Sequence, residues 1–218
     1  MQEFVVVTGI VLKTVPIGEY DRRVLILTKE RGKIAAFAKG ARRQNSRLMA
    51  STNLFVFGEF KLYEGKTSYN IMEANISNYF ETLREDFEGA YYGMYFLEVM
   101  DYYTKENNDE VEMLKLLYQS LKALQSESLK NELIRYIFEV KSIVINGEFP
   151  GIPETDRAGR LMASTVYTID YIVASTIEKL YTFTVTEEVL NELRMMASYY
   201  RKRCLDRNFK SLEILDML

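Results

Sequence analysis

Near residue 80 the spacing of apolar side chains changes, and no other feature limits the fold of this 218-residue chain so tightly. Upstream, apolar and polar residues alternate, the period of a strand with one face in a core. Downstream, apolar residues return every third or fourth position, the period of a helix with one buried face. Phe4 to Thr14 is apolar and β-branched, and Arg22 to Thr28 reads as a second strand. Lys29-Glu30-Arg31-Gly32-Lys33 turns into a third, Ile34 to Lys39. Phe57-Gly58-Glu59-Phe60-Lys61-Leu62-Tyr63 alternates, Glu64-Gly65-Lys66 turns the chain, and Tyr69 to Ala74 returns it. Five short strands in about 75 residues predict a small closed β-barrel. The OB-fold is the commonest five-stranded solution, with an SH3-like barrel as the main competitor.

At Thr82 the helical period takes over. Thr82-Leu83-Arg84-Glu85 has the form of a capping box, and Phe87, Tyr91, Met94, Leu97 and Met100 follow at helical spacing. Val111, Leu114, Leu117, Leu121 and Leu124 mark a second helix; Leu129, Leu133, Tyr136, Val140 and Ile143 mark a third, ended by Asn146-Gly147. Pro150 and Pro153 predict a loop through about Arg160, followed by an apolar segment from Val166 to Leu180. Thr184-Val185-Thr186-Glu187 repeats the capping-box form before a last helix with Leu190, Leu193, Ala197, Tyr200 and Cys204. The expected fold class is α+β: a five-stranded OB-fold barrel for nucleic acid over residues 1–80, followed by an α-helical domain over residues 81–218. No Gly-, Ser- or Pro-rich linker separates the halves, which predicts firm docking.

Charge divides with the period. Residues 1–80 hold 12 Lys and Arg against 7 Asp and Glu, a net +5 in a chain whose total is −3, so the remainder carries −8. Between Arg31 and Gly58 lie six cations (Arg31, Lys33, Lys39, Arg42, Arg43 and Arg47) and no carboxylate. A one-sign run on an anionic chain suits a polyanion, because each cation set beside a phosphate releases a condensed counterion. Within the run, Lys39-Gly40-Ala41-Arg42-Arg43-Gln44-Asn45-Ser46-Arg47 packs four cations into nine residues with small spacers. Its guanidinium groups suit phosphates or the flat faces of bases. Without a ligand the same segment is only a basic surface loop.

Several chemistries are disfavoured by what the chain lacks. With no histidine it is without the commonest general base and metal ligand, and a single cysteine, Cys204, allows neither an intrachain disulfide nor a multi-cysteine zinc site. Gly65-Lys66-Thr67 resembles the end of a phosphate-binding loop, but Phe60 stands where that motif requires glycine, so a hairpin turn is expected. The acidic group Glu106, Asp109, Glu110 and Glu112 suits a helix start rather than a metal. The strand-face aromatics Phe37, Phe55, Phe57, Phe60, Tyr63 and Tyr69 could include stacking platforms for unpaired bases, but for any one of them the barrel core is the expected home, with Tyr63 and Tyr69 the least core-like. Arg201-Lys202-Arg203 with Arg207 and Lys210 is the cationic cluster of the acidic half. It serves either the helix C-terminus or a second anion, DNA phosphate or an acidic peptide. An acidic residue near the N-terminus and the lack of a long apolar run argue against a signal peptide or membrane span, so a soluble cytoplasmic protein is expected.

Laid end to end, these blocks resemble the bacterial RecO family of recombinational repair mediators. The resemblance runs through Gly9-Ile10-Val11-Leu12-Lys13, Gly18-Glu19-Tyr20-Asp21-Arg22, Leu27 to Lys33, Ala38 to Arg43, Ser46-Arg47-Leu48, Gly58-Glu59-Phe60 and Leu83-Arg84-Glu85-Asp86. It closes with Leu205-Asp206-Arg207-Asn208-Phe209-Lys210-Ser211-Leu212. The resemblance implies an N-terminal OB-fold, a helical C-terminal domain and a role without catalysis or cofactor. That role is binding of single- and double-stranded DNA, annealing of complementary strands, and loading of recombinase, with RecR, on strands coated by single-stranded-DNA-binding protein. It further implies nucleoid association during repair. DNA contacts carry over to Lys39, Arg42, Arg43 and Arg47, with Arg22, Arg31 and Lys33 as supporting cations. The chain departs from many family members at the segment after Gly147-Glu148-Phe149-Pro150, where a cysteine-based zinc module is common. Gly151 to Arg160 contains no cysteine or histidine, so no zinc is expected.

Three other readings stand beside this one. The helical half could be an adaptor that captures the acidic, apolar tail of a partner such as single-stranded-DNA-binding protein, with Arg201, Arg203, Arg207 and Lys210 as anion receivers. The barrel alone would also fit an RNA-binding factor, and a nuclease would require clustered carboxylates with a metal.

Overall fold

The computed structural model describes residues 4–65, 68–153 and 161–217. Five strands, β1 (Phe4–Ile17), β2 (Asp21–Thr28), β3 (Gly32–Ala38), β4 (Phe57–Glu64) and β5 (Tyr69–Asn78), close a barrel in the order β1-β2-β3-β5-β4. All pairings are antiparallel except β3 with β5, which are parallel and, among the described residues, joined at Ala36↔Tyr69 and Phe37↔Asn70. A short helix, α1 (Leu48–Ser51), lies between β3 and β4. The predicted OB-type barrel followed by helices is what the chain forms, and the SH3-like alternative is set aside by this strand order.

Alternation explains the barrel interior. Val7, Val11, Val24, Ile26, Ile34, Ala36, Phe60 and Leu62 point inward, each at most 1% exposed. β1 serves both neighbours, pairing with β4 through Phe4 to Ile10 and with β2 through Gly9 to Ile17. A register shift between Val11 and Lys13 inserts Leu12 as an extra residue, a β-bulge that bends the strand. Leu12 thereby joins Ile10, Leu27 and Phe55 on the outer wall, and these four pack into the core of the helical half.

That half contains α2 (Glu81–Glu85), α3 (Phe87–Tyr103), α4 (Val111–Ala123), α5 (Asn131–Ile145), α6 (Ala163–Ala174), a 3-10 turn (Ile177–Lys179), α7 (Glu187–Cys204) and α8 (Lys210–Leu215). α5 is the central post, with every residue from Leu133 to Ile143 buried, and its Phe138 stacks on Phe96 of α3 at 4.1 Å. Burial along its whole circumference forces polar groups to find partners inside. Tyr95 donates to Glu139 Oε1 at 2.7 Å, and Arg135 and Arg201 donate to the same oxygen at 3.0 and 3.2 Å. The Lys141 ammonium donates to the carbonyls of Ile172, Val173 and Ser175 at 3.2, 2.9 and 2.7 Å, closing the C-terminal end of α6. The closing segment packs back on α3: Phe209 meets Tyr95 and Tyr102 edge-on, and Ser211 donates to Glu98 through both N–H and hydroxyl.

The two halves interlock at one end of the barrel. Phe55, at φ +70, lays its ring against Gly93 of α3, where a Cβ would stand 2.9 Å from the ring. The β2–β3 turn then reaches the connection between α3 and α4. Lys33 N–H donates to the Lys105 carbonyl at 3.0 Å, Asn107 N–H donates to the Arg31 carbonyl at 2.9 Å, and Lys33 Nζ pairs with the Asp101 carboxylate at 2.8 Å. Gly32 makes this possible: its φ is +63, and a Cβ there would stand 2.3 Å from the Lys105 carbonyl oxygen.

Both capping boxes fall differently from expectation. Thr82 lies inside α2, after Phe80 in the left-handed conformation, and its hydroxyl donates to Gln125. The last long helix is capped by Thr186, whose hydroxyl accepts from Val189 N–H, so Thr184 stands two residues outside the cap. Part of the loop expected through Arg160, residues 154–160, lies outside the described residues.

Two outcomes follow from this packing. Gly32→Ala is expected to cost about 2–3 kcal/mol in chemical unfolding, from left-handed strain and backbone collision; an unchanged midpoint would refute the interlock. Burial raises the phenols of Tyr92 (to about 12), Tyr95, Tyr103, Tyr181 and Tyr200 above their ordinary value of 10.0. Because the folded values are the higher ones, the stability they contribute is complete below pH 10.0, the unfolded value, and for Tyr92 is lost as pH rises to about 12. The last part of the tyrosinate absorbance, from these buried phenols, should therefore appear together with loss of helical circular dichroism; ionisation of all sixteen tyrosines with the helices intact would contradict it.

Candidate nucleic-acid interface

At the barrel end away from the interlock, β3 runs into the basic loop. Ala41 plugs the barrel interior and is fully buried, which fixes the loop by its middle. The rest is held by backbone. Gly40 N–H donates to Asp21 at 2.7 Å, Arg42 N–H to the Tyr20 carbonyl at 2.8 Å, Arg43 N–H to the Gly40 carbonyl at 3.0 Å and Ser46 N–H to the Arg43 carbonyl at 3.1 Å. The β1–β2 turn and the basic loop therefore form one rigid lip. Lys39, Arg42, Arg43 and Arg47 all stand exposed on it. Arg42 donates to the Gly18 carbonyl at 3.2 Å, and Arg43 lies over the Tyr20 ring at 5.0 Å. These contacts aim the two guanidinium groups while leaving their charge in place. Among the described residues none of the four is in an ion pair with a carboxylate; the barrel's pairs involve Arg31, Lys33 and Lys61.

The three expected supporting cations are committed elsewhere. Arg22 is partly buried and donates to Met49 O, Thr52 Oγ1 and Asn53 Oδ1, tying β2 to α1 and the turn after it. Its pKa is lowered, first by burial and then by the neighbouring Arg42. Arg22 thus adds to the field of the lip without reaching a ligand. Arg31 is paired with Glu64 at 3.4 Å, and Lys33 is bound to Asp101 of the helical half. Each already faces a carboxylate, so a DNA phosphate at either would have to compete with that partner.

The aromatic expectations divide as well. Phe55, Phe60 and Tyr69 are buried, Tyr69 contrary to its reading as least core-like, and Phe57 packs on Tyr118 of α4. Tyr63 is half-exposed and meets Phe4 edge-on at 6.2 Å. Phe37 is half-exposed on the outer wall.

The cationic cluster of the helical half is also split. Arg201 is drawn into the buried Glu139 site, where Arg135 already sits. Burial, the largest single influence, depresses the Arg135 guanidinium, yet the charge and hydrogen bond of Glu139 together with Tyr95 and Tyr136 outweigh it and the pKa is raised. Arg201 still lines a small cavity of 240 Å³ with Lys202, Leu205, Arg207, Phe209 and Leu212. Arg203 faces away and donates to Tyr199 at 3.4 Å, and Lys210 stands exposed at the start of α8, outside the cavity lining. Lys202, named in that cluster but not among the expected anion receivers, lines the cavity; Arg23 was missed by sequence reasoning, although its outward position follows from strand alternation. Among the described residues no cluster of His, Cys, Asp or Glu could hold a metal, and no helix is long and apolar enough to cross a membrane.

Comparison with known proteins agrees with this architecture. The family profile "Recombination protein O N terminal" matches residues 1–80, and "Recombination protein O C terminal" matches residues 84–152. A "DNA repair protein RecO" of Acetivibrio thermocellus is 29% identical over 240 residues, covering 97% of this chain and 96% of its own. Proteins of the same name from Clostridium novyi and Alkaliphilus metalliredigens are 26% and 28% identical, and each covers more than nine-tenths of both chains. With both halves matched in order and full-length relatives sharing one name, the chain belongs to the RecO family.

Proposed function

We propose that this protein serves recombinational DNA repair by binding single- and double-stranded DNA, and does so without catalysis. The observation that carries the reading is the rigid lip with four exposed cations, Lys39, Arg42, Arg43 and Arg47, none of them in an ion pair among the described residues, on a chain of net charge −3. Relatives that align with nearly the whole chain are named for DNA repair. Loop cations read backbone charge and leave base edges free, so binding is expected to be sequence-tolerant. Two strands held on such a lip repel one another less while their bases remain available, which is the physical requirement for annealing. In this reading the protein acts with RecR to load recombinase on strands coated by single-stranded-DNA-binding protein.

A second contact is favoured by the cavity beside α8. Its floor of Leu205, Phe209 and Leu212 is apolar; its rim carries the exposed cations Lys202 and Arg207, with Arg207 over Phe209 at 6.0 Å, beside Arg201, which is already paired with Glu139, and the carboxylates Glu213 and Asp216. An acidic peptide ending in an aromatic residue, the character of the tail of single-stranded-DNA-binding protein, matches both features. The two contacts lie on different halves and are compatible.

Titration of labelled strands between about 50 and 300 mM salt tests the lip. Four phosphate contacts give a log–log slope of about −3 on single strands and about −3.6 on duplex. Arg42→Ala with Arg43→Ala should reduce the slope by about half and weaken all sequences alike. A flat salt response would remove the mechanism, and tighter binding to RNA than to DNA of the same sequence would move the protein to RNA metabolism. For the cavity, Arg207→Glu should weaken an acidic Phe-ending peptide about tenfold or more. Arg203→Glu should leave it unchanged; equal effects of the two would refute the site.

A further inference from the structure

The outer wall of β3 carries a second feature beside the lip. Ile34, Ala36 and Ala38 point into the barrel, so Ala35, Phe37 and, just past the strand, Lys39 share the outside. Phe37 stands directly across from Arg23 of β2, and Ile17 at the end of β1 flanks them. Together with Glu64 and Glu106 these residues line an open groove of 790 Å³. Lys39, outside the lining, follows Phe37 by two residues on the same face and leads from the groove to the lip. Arg23 is exposed, and among the described residues no ion pair engages it.

The charge order along the groove selects what enters it. Its lining includes the Glu106 carboxylate, and Glu64 already paired with Arg31, so the groove is less positive than the lip and is not a continuation of the backbone track. A flat, uncharged face does not depend on that charge and gains contact with the Phe37 ring and with Ile17. Arg23 and Lys39 stand on the side nearest the lip, where the sugar-phosphate of the same nucleotide would have to pass. Only a base free of its complement can turn onto the ring, since the bases of a duplex are already stacked on one another.

We propose that Phe37, with Arg23 at its edge, is a seat for one unpaired base of a single strand whose phosphates lie on the Lys39–Arg47 lip. The seat deepens the reading of the lip as a polynucleotide interface and rests on it. It gives the barrel a preference for single strands that the lip alone lacks.

The test measures binding of a single strand and of a duplex by the full chain, by Phe37→Ala, by Phe37→Tyr and by the Arg42→Ala, Arg43→Ala double variant. Phe37→Ala should weaken single-strand binding about tenfold, with duplex binding and salt slope unchanged. Phe37→Tyr, which keeps the ring, should bind as the parent does. A strand containing 2-aminopurine should show stacking-dependent quenching with the parent and Phe37→Tyr, and not with Phe37→Ala. Unchanged duplex binding also certifies that Phe37→Ala is folded. Equal losses on both polymers, or no loss on single strands, overturns the seat and leaves the lip standing if the double variant still weakens both. Failure of the parent to bind either polymer overturns the lip and the seat together.

Discussion

Burial of the barrel's outer wall against α3 and α4 determines which of its surfaces remain available. Ile10, Leu12, Leu27 and Phe55 are apolar on a face that an isolated barrel would expose, and each is at most 4% exposed here. Full burial of side chains of this size is worth roughly 1.5–3 kcal/mol apiece, so the docked arrangement is strongly preferred over a barrel swinging free. Docking at one end also decides the fate of one cation, Lys33, which meets Asp101 of α3, whereas Arg31 is paired within the barrel half with Glu64 of β4. At the opposite end Arg42 meets the Gly18 carbonyl and Arg43 the Tyr20 ring, and among the described residues neither is paired with a carboxylate. The positive field of the lip therefore comes from the sequence of the loop together with the pairing of cations elsewhere on the barrel.

Much of the fold was legible because side-chain period reports directly on backbone geometry. The five strands and the order of barrel before helices needed only alternation and its change near Thr82. What was illegible depended on distant partners. Lys33 and Asp101 are 68 residues apart, and nothing local marks them as a pair. Arg22 and Arg23 were separable in principle: Arg22 shares parity with Val24 and Ile26, so it turns toward the barrel end and Arg23 faces out. Adding up cations along the chain obscured that distinction. The capping boxes failed because the four-residue pattern is satisfied at more than one position, and tertiary contact chose between them. Thr82 was taken by Gln125, and Thr186 won over Thr184.

The cluster at the end of α7 shows the same limit. Cations at a helix C-terminus suit the macrodipole, and that would account for Arg201, Lys202 and Arg203 alike. Instead Arg201 is pulled to a fully buried carboxylate on α5 that also holds Arg135 and Tyr95. Glu139 looks on sequence like one acidic residue in an amphipathic helix. Its burial follows from α5 being surrounded by α3, α4, α6 and α7. The family-like closing segment owes at least part of its pattern to packing, since Phe209 and Ser211 fasten α8 to α3.

Among the described residues, the seam between β3 and β5 closes the barrel through two residue pairs, where the antiparallel neighbours β1–β2, β2–β3, β1–β4 and β4–β5 share seven or eight. A ring with one thin link behaves mechanically like a cuff: its compliance gathers at the fastening while the remainder stays stiff. Phe37 and Tyr69 are members of that fastening. Strain applied to the outside of β3 is thus relieved where the cylinder can widen without breaking its longer ladders, so the wall beside the cationic rim can adjust its diameter while the rim keeps its shape.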